Sequence, residues 1–181
     1  MVINRRYFIA DVNDPIDQVY LHGFSDASEK AYASCIYVQA VSRSENVQVS
    51  FVTSKSRVKP ARKDFSIPRM ELLGNFVLAK LMKVVFEAIS DERKIDDIFC
   101  WTDAKVTLAW IRSTNKKFTA FVQNRLKKIR RYVAVKKWDY VSTKENPADL
   151  ITRCYTGNLA ECKLWTEGPE MLKKVKKGFR V

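Results

Sequence analysis

Val19-Tyr20-Leu21-His22-Gly23-Phe24-Ser25-Asp26-Ala27-Ser28 is the stretch that decides the fold. Its apolar part, Val19 to Ser25, runs into Asp26-Ala27-Ser28, the pattern of a strand entering a turn. Upstream, residues 1–18 contain Asn13-Asp14-Pro15 and read as a lead-in or linker. Downstream, Ala33–Val41 and Val47–Thr53 read as two more strands, and the polar Ser42–Asn46 between them suits a hairpin loop. Three strands in succession with short loops imply an antiparallel meander.

A basic segment follows Ser54, with Lys55, Arg57, Lys59, Arg62 and Lys63 close together and no acid among them. Ser66-Ile67-Pro68 then announces a helix with proline in its first turn. Met70, Leu73, Val77, Leu81, Val84 and Ile89 recur at roughly helical spacing and carry this helix to about Ile89. Ile98–Trp101 reads as a short buried strand, Ala104–Ile111 as a short helix, and Lys117–Val133 as a longer one. Val135–Val141 alternates as a fifth strand. Asn146-Pro147-Ala148-Asp149 opens a last helix, with asparagine at the N-cap and proline at N1. The order βββαβααβα predicts an α/β fold. Its sheet is five-stranded and mixed, three antiparallel strands followed by two that run parallel to the first, flanked by helices. The expected division is a lead-in at 1–18, one folded domain at 19–155 and a basic C-terminal tail at 156–181.

The 181 residues suffice for one domain with a sizeable core, and 46% hydrophobic with 12% aromatic residues excludes disorder. The net charge of +13 favours a polyanionic partner, because the positive charge is clustered. Arg112 to Trp138 contains no acid at all. Solvated helix faces usually mix signs, so the long helix reads as a phosphate-contacting arm. The cysteines, Cys35, Cys100, Cys154 and Cys162, form no C-x-x-C pair, and His22 is the sole histidine, which argues against structural zinc. Cys35 and Cys100 lie in apolar runs and read as buried thiols of a reducing compartment. The apolar run after Arg5-Arg6 is too short for a secretion signal, and no run approaches a membrane span. His22, Trp101, Trp110 and Trp138 have apolar neighbours and read as core residues.

Asp26, Glu71, Asp103 and Asp149 each fall at a strand end or near a helix start. Parallel strands of an open sheet bring their carboxyl ends to one edge, where ligands bind. Taken singly, Asp26 suits a turn, Asp103 an N-cap, Asp149 the first turn of a helix and Glu71 a solvated helix face. Taken together they suggest a carboxylate cluster. Two carboxylates at about 4 Å repel by roughly 4 kcal/mol at an effective dielectric of 20, so a cluster needs protons or cations. All-oxygen ligands select hard cations such as Mg²⁺ or Mn²⁺, and a pair of ions about 3.5–4 Å apart can clamp a phosphodiester.

Several ordered blocks resemble one family. Leu21–Ser28, Ser54-Lys55-Ser56-Arg57-Val58, Ile67-Pro68-Arg69-Met70-Glu71-Leu72-Leu73 and Cys100-Trp101-Thr102-Asp103 are similar to the ribonuclease H domain of BEL/Pao-type LTR retrotransposons. So are Thr143-Lys144-Glu145-Asn146-Pro147-Ala148-Asp149-Leu150 and the tail with Leu164-Trp165 and Gly168-Pro169-Glu170. The resemblance runs from about residue 19 to the C-terminus. It implies the ribonuclease H-like fold and a metal-dependent endoribonuclease that cuts the RNA strand of RNA–DNA hybrids. The implied cofactor is two Mg²⁺ ions, with Mn²⁺ as a substitute. Asp26 would bridge both ions, Glu71 and Asp103 would complete one site, and Asp149 would help hold the other. Lys55, Arg57, Lys116, Lys117, Arg125 and Lys128 are the candidate nucleic-acid contacts.

A reverse transcriptase domain of the parent polyprotein is an implied partner, and no membrane is. The implied setting is cytoplasmic, in the parent element's virus-like particle, or nuclear. The chain carries no Y-x-D-D or D-[ST]-G motif, so it reads as a polyprotein fragment or a stand-alone remnant. One departure concerns the loop before the last acid, Ser142-Thr143-Lys144-Glu145-Asn146, which lacks the histidine that many cellular ribonucleases H carry there. A catalytically inactive hybrid-binding remnant is the alternative. A DDE-type integrase fits less well, because it needs its glutamate last.

Overall fold

The computed structural model describes residues 13–61, 65–153 and 155–174. Arg62, Lys63, Cys154 and the outer parts of the lead-in and tail lie outside the described residues. Five strands form one sheet: β1 (Ile16–Ala27), β2 (Ala31–Ser42), β3 (Val47–Val58), β4 (Asp97–Thr102) and β5 (Trp138–Tyr140). The helices are α1 (Ile67–Ser90), α2 (Lys105–Arg112), α3 (Ala120–Tyr132), α4 (Asp149–Thr152) and α5 (Lys163–Thr166). The strand order is β3-β2-β1-β4-β5, antiparallel from β3 to β1 and parallel from β1 to β5. This is the α/β architecture and mixed sheet expected from the sequence.

β1 is central and buried on both faces, which explains its near-continuous apolar run. On one face Val19, Leu21, Ile36 and Val38 pack under α1, α2 and α3. α1 lies close over β1 because Gly23 carries no side chain. A Cβ there would come within 2.5 Å of Leu78 Cδ1 and 2.8 Å of Met82 Cε. That contact sets which side of α1 is buried. Leu78, Met82 and Val85 face the sheet, whereas Val84 of the expected stripe is 54% exposed. Met70, Leu73 and Ile89 of that stripe are buried, and Val77, Leu81 and Val84 border a surface groove.

Three further boundaries differ from expectation. β3 continues to Val58, so Lys55 and Arg57 project from a strand, paired with Ser34 and Tyr32 of β2. β3 is an edge strand, and edges tolerate charge. Val135–Lys137 is a 3-10 turn, and β5 is only three residues because it pairs with β4 over Cys100–Thr102 alone. The last helix starts at Asp149 with Ala148 at its N-cap. Asn146 is drawn into the core instead, where its Nδ2 donates to the Ser25 carbonyl and its Oδ1 accepts from the Ala148 amide.

The opposite sheet face carries Phe24, Tyr37, Phe99 and Trp101. Residues 159–173 fold into short helical turns and cover part of it. The Tyr37 hydroxyl donates to the Trp165 carbonyl at 2.7 Å, and Gln39 Nε2 donates to the Leu172 carbonyl at 2.6 Å. Behind Gln39, His22 donates from Nε2 to Gln39 Oε1 and accepts at Nδ1 from Trp101 Nε1. His22, Trp101 and Trp138 are buried, as expected of core residues, and Trp110 is half-buried against Phe118. No helix among the described residues is long and apolar enough to cross a membrane.

Candidate functional site

Parallel pairing of Phe24 with Trp101 and Ser25 with Thr102 places the next residue of each strand side by side. Those residues are Asp26, the penultimate residue of β1, and Asp103, just past β4. Asp149 opens α4, which packs on the ends of β1 and β2. The carboxylates of Asp26, Asp103 and Asp149 each offer an oxygen within 4.8 Å of the others. Glu71, in the second turn of α1, is buried beside them and feels all three charges. Asp103 and Asp149 are half-buried, which leaves the cluster open to solvent on one side.

Few bonds offset this concentration of negative charge. Asp26 accepts from the Thr152 hydroxyl, and Asp103 accepts from the Thr143 hydroxyl at 2.8 Å. Asp149 pairs with Arg153, Nε to Oδ1 at 2.5 Å. Glu71 accepts from the Ala27 backbone amide, but its Oε2 has no hydrogen-bond partner among the described residues. Burial, reinforced by Asp26 and Asp103, lifts the Glu71 carboxyl to about 9. Burial likewise lifts Asp26 to about 7 against the opposing Thr152 bond, with Asp103 and Asp149 adding to the rise. Asp149 is raised by burial and held back by Arg153.

Oxygen donors alone, mutual repulsion and an orphaned buried oxygen together suit a hard divalent cation. Asp26, Asp103 and Asp149 are the residues best placed to hold one, with Glu71 adjoining.

The candidate nucleic-acid contacts separate in space. Lys55, Arg57 and Arg125 converge on one groove of about 370 Å³ with an apolar floor, and no acid among the described residues lines it. Arg125 lies 3.5 Å above the Phe121 ring, and its Nε is buried without a partner among the described residues. Lys116 borders a different hollow of about 280 Å³ between α2 and α3. Lys117 and Lys128 are exposed, and Lys128 sits over Phe76.

Part of the acid-free stretch has structural work. Arg130 donates to the carbonyls of Trp110, Ile111 and Ser113 and so caps α2. Arg112 reaches the Trp138 carbonyl and Asp139, and Lys137 pairs with Asp97. Arg130 of the expected phosphate-contacting arm is thus engaged in the fold, as are Arg112 and Lys137 on either side of it. Thr143 and Thr152 were missed in the sequence, where a threonine near a turn carries no signal of its own. In the loop that lacks a histidine, Thr143 is the residue that reaches the acids. Glu145 accepts from Ser142 instead.

The profile of the Pao retrotransposon-like RNaseH-like domain matches residues 1–104. No curated protein matches the chain by sequence. Among solved structures, RNase H1 of Halobacterium salinarum NRC-1 is similar at 9% identity and a TM-score of 0.43, over 73% of this chain and 91% of that one. The N-terminal RNase H domain of a Mycobacterium tuberculosis protein gives 7% and 0.46, over 76% of this chain and 94% of the other. LC11-RNase H1, solved with an RNA/DNA hybrid, gives 10% and 0.44, over 73% and 91%.

Proposed function

Because the chain belongs to the Pao retrotransposon-like RNaseH-like domain family, we propose that it is a metal-dependent endoribonuclease that cleaves the RNA strand of RNA–DNA hybrids. The observation that carries this reading is the meeting of Asp26, Asp103 and Asp149 within 4.8 Å beside a buried Glu71. Asp26 would be shared between two Mg²⁺ ions, Glu71 and Asp103 would complete one site, and Asp149 would serve the other. Bound cations of this kind supply Lewis acidity and lower the pKa of water at the scissile phosphate. The protein's part is to hold and orient the carboxylates. Thr152 fixes an oxygen of Asp26 and Thr143 an oxygen of Asp103. The sheet end screens Glu71 from bulk water.

Lys55, Arg57 and Arg125 on their common groove, with Lys117 and Lys128 on open surface, would meet the phosphates of the hybrid. Backbone shape and 2′-hydroxyls, not base edges, would then decide recognition. A reverse transcriptase domain of a parent polyprotein would be the natural partner. The test is hydrolysis of a labelled RNA–DNA hybrid with Mg²⁺, comparing the protein with Asp26→Asn. Cleavage confined to the unaltered protein supports the reading, and equal cleavage by both refutes the site. Binding without cleavage by either would favour a hybrid-binding remnant, a reading consistent with the missing loop histidine and the Arg153 clasp on Asp149.

A further inference from the structure

The four acids stand on four separate segments of the chain, and each has a buried polar side chain close by in sequence. Ser25 precedes Asp26, Asn75 lies one helical turn after Glu71, Thr107 lies four residues after Asp103, and Asn146 lies three before Asp149. All four polar residues are 0–1% exposed. They join one another by hydrogen bonds. The Ser25 hydroxyl donates to Asn75 Oδ1 at 2.6 Å, and Asn75 Nδ2 donates to the Thr107 hydroxyl at 2.9 Å. Thr107 passes its own proton to the Ala104 carbonyl at 3.0 Å. Asn146 Nδ2 donates to the Ser25 carbonyl at 3.0 Å and holds the Ala148 amide. The donors and acceptors run in one consistent direction from Ser25 to Ala104.

Apolar packing alone would leave α1 free to slide or rotate slightly over β1, because such contacts have no direction. A satisfied polar chain in a low-dielectric interior has direction, and it fixes register. The loop bearing Asp103 is pinned on both sides. The Ala104 amide donates to the Thr102 hydroxyl at 3.2 Å, while the Ala104 carbonyl accepts from Thr107. The α1 backbone also approaches β1 at this level, since a Cβ on Gly74 would lie 3.0 Å from the Asp26 carbonyl oxygen.

We propose that Ser25, Asn75, Thr107 and Asn146 form a positioning network, with Asn75 as its hub, that sets the spacing of Glu71, Asp103 and Asp149 around Asp26. None of the four touches the substrate or the reacting atoms. The inference rests on the reading of the acids as the catalytic cluster.

Thr107→Val, Asn75→Leu and Thr107→Ser test it. Thr107→Val exchanges a hydroxyl for a methyl at nearly constant volume, while Thr107→Ser keeps the hydroxyl. Misplacement of catalytic groups by about 1 Å costs on the order of a hundredfold in rate. Thr107→Val should therefore lower kcat by about ten- to a hundredfold, leave the KM for hybrid within about twofold, and raise the Mg²⁺ concentration for half-maximal rate. Asn75→Leu should act in the same way, and Thr107→Ser should retain the rate within about threefold. Folding is checked by circular dichroism at the assay temperature, and Thr107→Val serves if Asn75→Leu fails to fold. Folded variants with unaltered kcat and Mg²⁺ dependence would overturn the proposal. If the unaltered protein does not cleave, the functional reading fails by itself. The metal-free crystal structure of Thr107→Val then decides the network. A shift of Glu71 or Asp103 relative to Asp26 beyond about 0.5 Å upholds it, and superposable acids overturn it.

Discussion

Glu71→Gln, studied without divalent cations, isolates the electrostatic cost of the acidic cluster. In the unfolded chain Glu71 ionises near its ordinary value of 4.5, whereas in the folded protein burial and its acidic neighbours hold the proton on to about 9. Between these limits the folded state binds more protons than the unfolded state, so stability falls as pH rises. The slope for one proton is about 1.4 kcal/mol per pH unit. From pH 5 to pH 8 the ceiling from Glu71 is about 4 kcal/mol. Asp26, raised from 3.8 to about 7, acts with the same sign over the lower part of that window. The amide introduced by Glu71→Gln retains an acceptor for the Ala27 N–H but carries no titrating proton. Urea unfolding followed by circular dichroism, from pH 5 to pH 8 in EDTA, gives the comparison. The unaltered protein should lose stability more steeply than Glu71→Gln, with a difference between the two that grows by roughly 1 kcal/mol per pH unit. Parallel curves would show that Glu71 is not held protonated by this site and would refute the electrostatic reasoning.

Thr152→Val removes the hydroxyl that holds Asp26 and should cost about 1–2 kcal/mol in denaturant unfolding at pH 8, whereas Thr152→Ser should cost less. Replacing Lys55, Arg57 and Arg125 together by alanine should weaken hybrid binding and lower the slope of log K against log[salt] by about 2–3, measured by fluorescence anisotropy. Arg130→Ala should lower thermal stability by about 1–3 kcal/mol through the uncapped carbonyls of α2, while leaving the salt slope of binding unchanged.

The fold was legible because its elements have distinct periods. Apolar runs gave β1, β2 and β4, and helical spacing gave α1 and α3. The acids stood out because each interrupts or follows such a run. Their meeting was expected from parallel strand ends, and the register that aligns Ser25 with Thr102 supplies the geometry that the sequence lacks. Side-chain roles were less legible. The buried side of α1 depends in part on Gly23, a strand residue more than fifty positions from Leu78, so helical spacing found Met70, Leu73 and Ile89 but not Leu78, Met82 and Val85. Lys137 and Arg130 look like phosphate contacts in a one-dimensional run of cations, yet their partners come from β4 and from the end of α2. Trp165 and Leu172 have no regular spacing that would reveal their seat on the sheet. Asn75 is the one position where a clue existed, since an amide amid Leu72, Leu73 and Leu78 needs a buried partner.

Calorimetric titration of the metal-free protein with Mn²⁺ at about pH 6.5, in two buffers of different ionisation enthalpy, tests the central claim most directly. Carboxylates that hold protons must release them when a cation binds. Binding should release protons from Glu71 and Asp26, and Asp26→Asn should abolish or sharply weaken it. Undiminished binding by Asp26→Asn, or binding without proton release, would contradict that claim.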